Sequence, residues 1–303
     1  MSNSKLSRLS NSQIILSDLS IGYKTKGSVR IVASGVNGTI HSGELTCLMG
    51  ENGIGKSTLL RTLSGFQPPL SGSIKLKSQS SNLNSQSSNL NSQSSNLNSQ
   101  SSNLNSQSSN LKSLEDYSPK ELAQTIGVVL TEKPDVGLMT ARELVAMGRS
   151  PYTGFWGRLS ASDDEAVNDA IAQVGIPHLA DRQVGTLSDG ERQKVMIAKA
   201  LAQQTDIIFL DEPTAFLDYP SKVDMLLLLR RISHEASKTI FLSTHDLELT
   251  LQAADTIWLM TRSEGLLMGT PRELASQGAL GRFIEKGKGV TFDPQRLSVT
   301  INA

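Results

Sequence analysis

Short apolar runs alternate with amphipathic stretches along most of the chain. The segments LTCLM (45–49), IIFL (207–210) and TIFL (239–242) are brief, nearly continuous apolar runs. Runs of that kind suit strands covered on both faces, as in a parallel sheet. Residues 14–21 and 29–40 read as edge strands separated by turn residues, and 72–77 and 126–130 as further strands. Between the strands lie helical patterns. Residues 163–174 place Ala166, Val167, Ala170, Ile171 and Val174 on one helix face. Ser118-Pro119 ahead of residues 120–124 supplies a capping serine and a proline at the first helical position. Residues 56–63 and 191–202 are the other clear helices. Strands alternating with helices predict an α/β fold with a parallel sheet. The stretch 140–176 reads as mostly helical around the loop SPYTGFWGRLS (150–160), so a helical subdomain, about 138–186, is inserted into the sheet core.

One segment breaks this alternation. From Ser78 to Lys112 the unit SQSSNLN recurs in five tandem copies, the last ending in Lys112. One leucine per seven residues falls short of the two apolar positions that a coiled-coil seam needs. Serine and asparagine also compete with the helical backbone for hydrogen bonds. So little apolar surface cannot offset the ordering entropy, and a flexible, solvated insertion is expected over 78–112.

Composition narrows the function. Aromatics make up 4% of the 303 residues, and 29 basic residues balance 29 acidic ones. The chain lacks both the stacking platform and the basic field of a non-specific nucleic-acid binder. No run of 18 apolar residues occurs, so a membrane span is not expected. The start MSNSKLSRLSNSQ has no apolar core of a secretory signal. Cys47, the single cysteine, falls in an apolar run and reads as a core residue.

Two motifs carry chemistry. GENGIGKST comprises Gly50, Glu51, Asn52, Gly53, Ile54, Gly55, Lys56, Ser57 and Thr58, and fits the phosphate-binding pattern G-x-x-x-x-G-K-[ST]. Its glycines let backbone N–H groups curl around phosphate oxygens, and the following helix adds the positive end of its dipole. Lys56 is placed for the β- and γ-phosphates of ATP and Ser57 for Mg²⁺. IIFLDEP then ends a buried strand in two acids at the sheet's carboxyl edge, where α/β folds bind ligands. Asp211 suits the Mg²⁺ role, and Glu212 that of the base polarising the attacking water.

The order of motifs gives the family. The phosphate loop is followed by LSDGE (187–191), LDEP, AFLD (215–218) and STHD (243–246), and this series resembles an ABC ATPase, a P-loop NTPase core with an antiparallel β edge and an inserted α-helical subdomain. The resemblance implies that Ser188 and Gly190 of the signature loop bind the γ-phosphate of ATP held by an opposite subunit. It implies Tyr23 stacked on adenine, Asp218 at the dimer seam, and His245 as a switch histidine contacting the γ-phosphate and Glu212. Ser188 and Gly190 are expected just ahead of the helix 191–202, whose dipole favours an anion.

Three departures stand out. Asp189 and Glu191 replace a glycine and a glutamine of the usual LSGGQ, which sets two carboxylates near an expected phosphate. The glutamine that normally follows a strand is missing from VVLTEKPDVG; Thr131 takes its place with Glu132 beside it, either offering an oxygen to Mg²⁺.

The stretch ELVAMGRSPYTGFWGRLSASDDEAVNDAIAQVGI (143–176) resembles the helical subdomain of ATPases serving iron-siderophore, haem and cobalamin importers, where GR-x-P-Y/W is characteristic. The resemblance implies a homodimer with two polytopic permease subunits and, through them, an extracytoplasmic substrate-binding protein. It implies a peripheral place on the cytoplasmic face of a bacterial plasma membrane. The ATPase domain is expected over 12–270, with 271–303 as a C-terminal extension. Alternatives are another ABC system, a non-transport ABC ATPase, or a module that binds ATP but hydrolyses it weakly.

Overall fold

A computed structural model describes residues 12–77, 111–131, 136–154, 157–285 and 289–301. The chain opens with β1 (Ser12–Thr25) and β2 (Ser28–His41), paired antiparallel as a long hairpin. β2 matches the predicted 29–40 to within a residue at each end, whereas β1 runs four residues past Ile21, where Tyr23, Lys24 and Thr25 are exposed and held by ladder bonds rather than by burial. Next come β3 (Leu45–Gly50), α1 (Lys56–Leu63), β4 (Ser71–Lys77) and β5 (Leu111–Ser113). Strands β2-β1-β4-β5 form one antiparallel sheet.

Of the SQSSNLN segment, 78–110 lie outside the described residues. Its last two residues depart from the solvated insertion expected over 78–112. Leu111 and Lys112 pair with Lys77 and Leu76 in β5. The Lys112 ammonium also reaches Glu121 at 3.0 Å and lies 4.3 Å from the Tyr117 ring centroid, so the departure from the repeat unit at this position coincides with a fixed partner.

The remaining core elements are α2 (Pro119–Thr125), β6 (Ile126–Val129), α3 (Ala141–Ala146), α4 (Ala161–Val174), α5 (Asp189–Ala202), β7 (Ile207–Asp211), α6 (Tyr219–Glu235), β8 (Thr239–Ser243), α7 (Leu247–Ala253), β9 (Thr256–Thr261) and β10 (Gly265–Gly269). The second sheet runs β10-β9-β3-β8-β7-β6. Its pairings from β9 to β6 are parallel, and β10 closes the edge antiparallel to β9. Every residue of β3, β7 and β8 is buried, as expected of strands covered on both faces.

One apolar layer fills the space between the two sheets. Leu59, Leu60 and Leu63 of α1 join Ile14, Leu16, Ile74 and Leu76 against Leu48, Phe209, Phe241 and Trp258. Phe241 meets Phe209 and Trp258 edge-on, at 5.7 and 5.2 Å between centroids. On the opposite face, α6 and the helical block α3–α5 cover β3, β7 and β8. All five positions predicted for the apolar face of α4 are buried. Helix starts are repeatedly set by a Ser/Thr-x-x-Glu/Asp capping box, at Ser118, Thr140, Ser160 and Ser188. Gly148 allows the helical block to close, since a Cβ there would lie 2.2 Å from the Lys199 carbonyl oxygen of α5.

Downstream, α8 (Pro271–Ser276), α9 (Ala279–Ile284), β11 (Val290–Asp293) and β12 (Ser298–Ile301) follow. Leu274, Leu280 and Phe292 pack on Met49 of β3 and on Ile257 and Leu259 of β9. Among the described residues, no helix is long and apolar enough to cross a membrane.

Candidate nucleotide site

The parallel arrangement brings the carboxyl ends of β3, β7 and β8 to one edge, and the residues singled out in sequence gather there. β3 runs into the loop 51–55 and then α1. Gly55 sits at φ +112°, and a Cβ on it would fall 2.3 Å from Cγ1 of Val32. Glycine is the residue that fits this turn. Lys56 is buried and donates from Nζ to the carbonyl oxygens of Gly50 (3.0 Å) and Glu51 (3.2 Å), so its ammonium spans the loop. Burial lowers its pKa, opposed by the carboxylates of Glu212 and Asp211. Asn52 and Gly53 are exposed, and Ile54 packs against the intersheet layer. Glu51 is paired with Arg262 at 3.3 Å. Tyr23 on β1 is partly exposed and shares a 2.9 Å hydrogen bond with the Thr58 hydroxyl, which places its ring beside the start of α1.

Asp211 ends β7. Its Oδ1 accepts from Ser57 Oγ at 3.3 Å and from Ser243 Oγ at 2.6 Å. Its carbonyl accepts from Thr131 Oγ1 at 2.8 Å. Thr131 therefore lies at the site through its bond to the backbone of Asp211, while Glu132 lies outside the described residues. Glu212 takes a left-handed conformation, φ +48°, uncommon for a residue with a Cβ. Its amide is held by the Ser243 carbonyl (3.2 Å) and hydroxyl (3.0 Å). The turn carries the Glu212 carboxylate to His245, with Oε1 2.7 Å from Nε2. Ser243 thus fixes both acids. Within STHD the sequence marks Ser243 only by its place as the last residue of a buried strand, directly ahead of the loop.

The signature loop differs from expectation in one respect. The helix begins at Asp189, with Ser188 as its cap, so Gly190 lies inside the first turn rather than ahead of it. The cause is a capping box that starts the helix two residues early. The Glu191 carboxylate accepts from the Ser188 amide (2.8 Å) and hydroxyl (2.9 Å), and lies 3.3 Å from Arg182. Those two Ser188 bonds, aided by Arg182, lower the Glu191 pKa. Its charge is therefore engaged by its own helix start. Asp189 is exposed. Asp218 caps α6, accepting from the Ser221 amide at 2.9 Å, and its pKa is lowered by bonds to Ser221. A Cβ on Gly190 would lie 3.8 Å from Ser221 Oγ, so the starts of α5 and α6 are neighbours.

The structure thus assembles Lys56, Ser57, Thr131, Asp211, Glu212 and His245 in one place. It sets Ser188, Gly190 and Asp218 at the adjoining starts of α5 and α6. The first group can bind phosphates and polarise a water; the second presents a hydroxyl and a helix N-terminus.

Comparisons with known proteins give the family. The family model described as ABC transporter matches residues 33–215. The ABC transporter ATP-binding protein MJ0873 of Methanocaldococcus jannaschii is 35% identical, over 85% of this chain and 76% of that protein. The ferric enterobactin transport ATP-binding protein FepC of Escherichia coli is 33% identical, over 83% of this chain and 81% of that protein. Among solved structures, CbiO1 of Clostridium perfringens, part of the ABC transporter complex CbiONQ, superposes with a TM-score of 0.67 at 26% identity, covering 91% of this chain and 95% of that one. With the family motifs in order and its relatives matched over most of their length, this chain belongs to the ABC transporter family of ATP-binding ATPases.

Proposed function

We propose that the chain powers an importer for iron-siderophore, haem or cobalamin by hydrolysing ATP as a homodimer beneath two polytopic permease subunits. The reading draws on FepC, named for ferric enterobactin transport, and on the GRSPY stretch of the helical block. The permease would in turn meet an extracytoplasmic substrate-binding protein, leaving this chain peripheral on the cytoplasmic face of a bacterial plasma membrane. The ATPase unit spans 12–270, with its helical subdomain over 138–186, and 271–303 form a C-terminal extension.

The observation that carries the catalytic reading is the 2.7 Å contact between Glu212 and His245 beside the Ser57–Asp211 pair. Lys56 and the amides of Gly53 and Gly55 would cradle the phosphates, with the adenine against Tyr23. The Ser57 hydroxyl and Asp211 carboxylate, two oxygens 3.3 Å apart, suit a hard cation, and Mg²⁺ there would neutralise phosphate charge. Glu212 takes a proton from water as its oxygen bonds to the γ-phosphorus. The bond to the bridging oxygen breaks, giving ADP and phosphate. His245 holds the Glu212 carboxylate. Ser188 and Gly190 of the second copy cover the γ-phosphate, and Asp218 lies at the seam.

Glu212→Gln tests this. It should lower turnover at least about a hundredfold while retaining ATP binding. Near-normal hydrolysis would remove Glu212 from the role of base. For cargo, the complex reconstituted with its permease should hydrolyse ATP faster when a binding protein loaded with a ferric chelate is supplied.

A further inference from the structure

Asp246 follows the histidine of the Glu212–His245 pair and occupies the N-cap position of α7. An aspartate there ordinarily accepts a hydrogen bond from its own helix. This one makes no such bond. Both carboxylate oxygens turn instead to the segment that follows Glu212. Oδ2 accepts from Thr214 Oγ1 at 2.7 Å, and Oδ1 from Lys222 Nζ at 2.8 Å. Thr214 is buried two residues beyond Glu212, and Lys222 lies in the first turn of α6, the helix capped by Asp218. The backbone of Asp246 is equally fixed. Its amide donates to Thr244 Oγ1 (3.0 Å), and its carbonyl accepts from the Thr250 hydroxyl (2.7 Å) and amide (3.0 Å).

The two segments that carry the catalytic pair leave neighbouring strands, β7 and β8, and past the strand ends they are no longer joined by the ladder. The Asp246 carboxylate bridges them one residue from His245 and two from Glu212. We propose that Asp246, with Lys222 and Thr214, is a positioning unit that sets the Glu212–His245 separation. Through Lys222 it also transmits to His245 any displacement of Asp218 and the start of α6. This rests on the assignment of Glu212 and His245 as the catalytic pair. None of the three residues touches nucleotide in this scheme.

The test compares Asp246→Asn, Lys222→Met and the double variant with wild type and Glu212→Gln, in the complex with the permease. Measured are kcat, KM, binding of a fluorescent ATP analogue and thermal stability. A misplaced base costs rate rather than affinity, so each single variant should lose about ten- to a hundredfold in kcat. KM and nucleotide affinity should stay within about twofold of wild type. Because both changes break one bridge, the double variant should be no slower than the worse single one. Wild-type kcat in Asp246→Asn, with Glu212→Gln inactive, overturns the proposal while sparing the catalytic pair. Loss of ATP binding in step with kcat and melting temperature overturns it in favour of a purely structural bridge. Hydrolysis by Glu212→Gln would instead sink the pair itself.

Discussion

Arg149, in the GRSPY stretch, offers a quantitative test of how the helical block is held. Its side chain is buried, as is that of Asp163 on α4. The guanidinium donates to Asp163 Oδ1 at 2.8 Å, to the Ala202 carbonyl at 2.7 Å and to Gln204 Oε1 at 2.8 Å, and it lies 4.0 Å from the Tyr152 ring centroid. The Tyr152 hydroxyl in turn donates to the Gln203 carbonyl at 2.9 Å. One fork thus ties the start of α4 to the carboxyl end of α5. Arg149→Met would keep the volume of the stem but leave a buried carboxylate without its cation, a class of change that costs about 3–5 kcal/mol. Asp163 retains bonds from the Ser160 amide (2.9 Å) and hydroxyl (2.6 Å), which places the expected cost near about 3 kcal/mol. At about 2–4 °C per kcal/mol, the melting temperature should fall by about 6–12 °C. Circular dichroism during heating of the nucleotide-free protein measures it. Arg149→Lys should fall between the two, since a point charge cannot serve Asp163 and the α5 end together. A shift under about 2 °C in Arg149→Met would refute the claim that this fork fastens the block.

Gly55→Ala forces a Cβ into Val32 at a backbone angle that L residues avoid; at about 1–3 kcal/mol of strain, affinity for a fluorescent ATP analogue should drop by about 5- to 150-fold, and unchanged affinity would contradict the described loop. The Asp163 carboxyl is held at about 2, below its ordinary 3.8, by the Ser160 hydroxyl and amide and then by Arg149. A depressed folded-state pKa contributes stability that is present above about 4 and lost as pH falls toward about 2. Asp163→Asn should therefore flatten the decline in melting temperature over that interval, and an identical slope would exclude this contribution.

Much of the fold was legible because its signals are local. Ser118-Pro119, the five-residue face of α4 and the runs that became β3, β7 and β8 each declare themselves within a dozen residues. Where the reading missed, a competing local signal was present. The signature helix was expected to begin at Glu191, yet Ser188-x-x-Glu191 is itself a capping box, and that box starts the helix at Asp189. The β1 side of the hairpin tip is missed for another reason: Tyr23, Lys24 and Thr25 are exposed, so β1 carries no burial pattern past Gly22 and is recognised there only by its pairing with Arg30, Val29 and Ser28. The fork of Arg149 was beyond reach, because its acceptors stand 14 to 55 residues away with no periodic relation.

The legibility of the site has a topological cause. Ser57 and Asp211 are 154 residues apart, but each follows or ends a strand of one parallel sheet, with β8 between β3 and β7. Parallel strands deliver all their carboxyl ends to the same edge, so motifs that terminate strands must converge however much chain separates them. Motifs that begin helices carry no such guarantee. The Ser188 side chain bonds to Glu191 of its own helix, and Gly190 neighbours the start of α6. In the homodimer proposed above, the Ser188 loop of one copy would reach the phosphate held at the Lys56 loop of the other, a convergence that assembly rather than sheet topology has to supply.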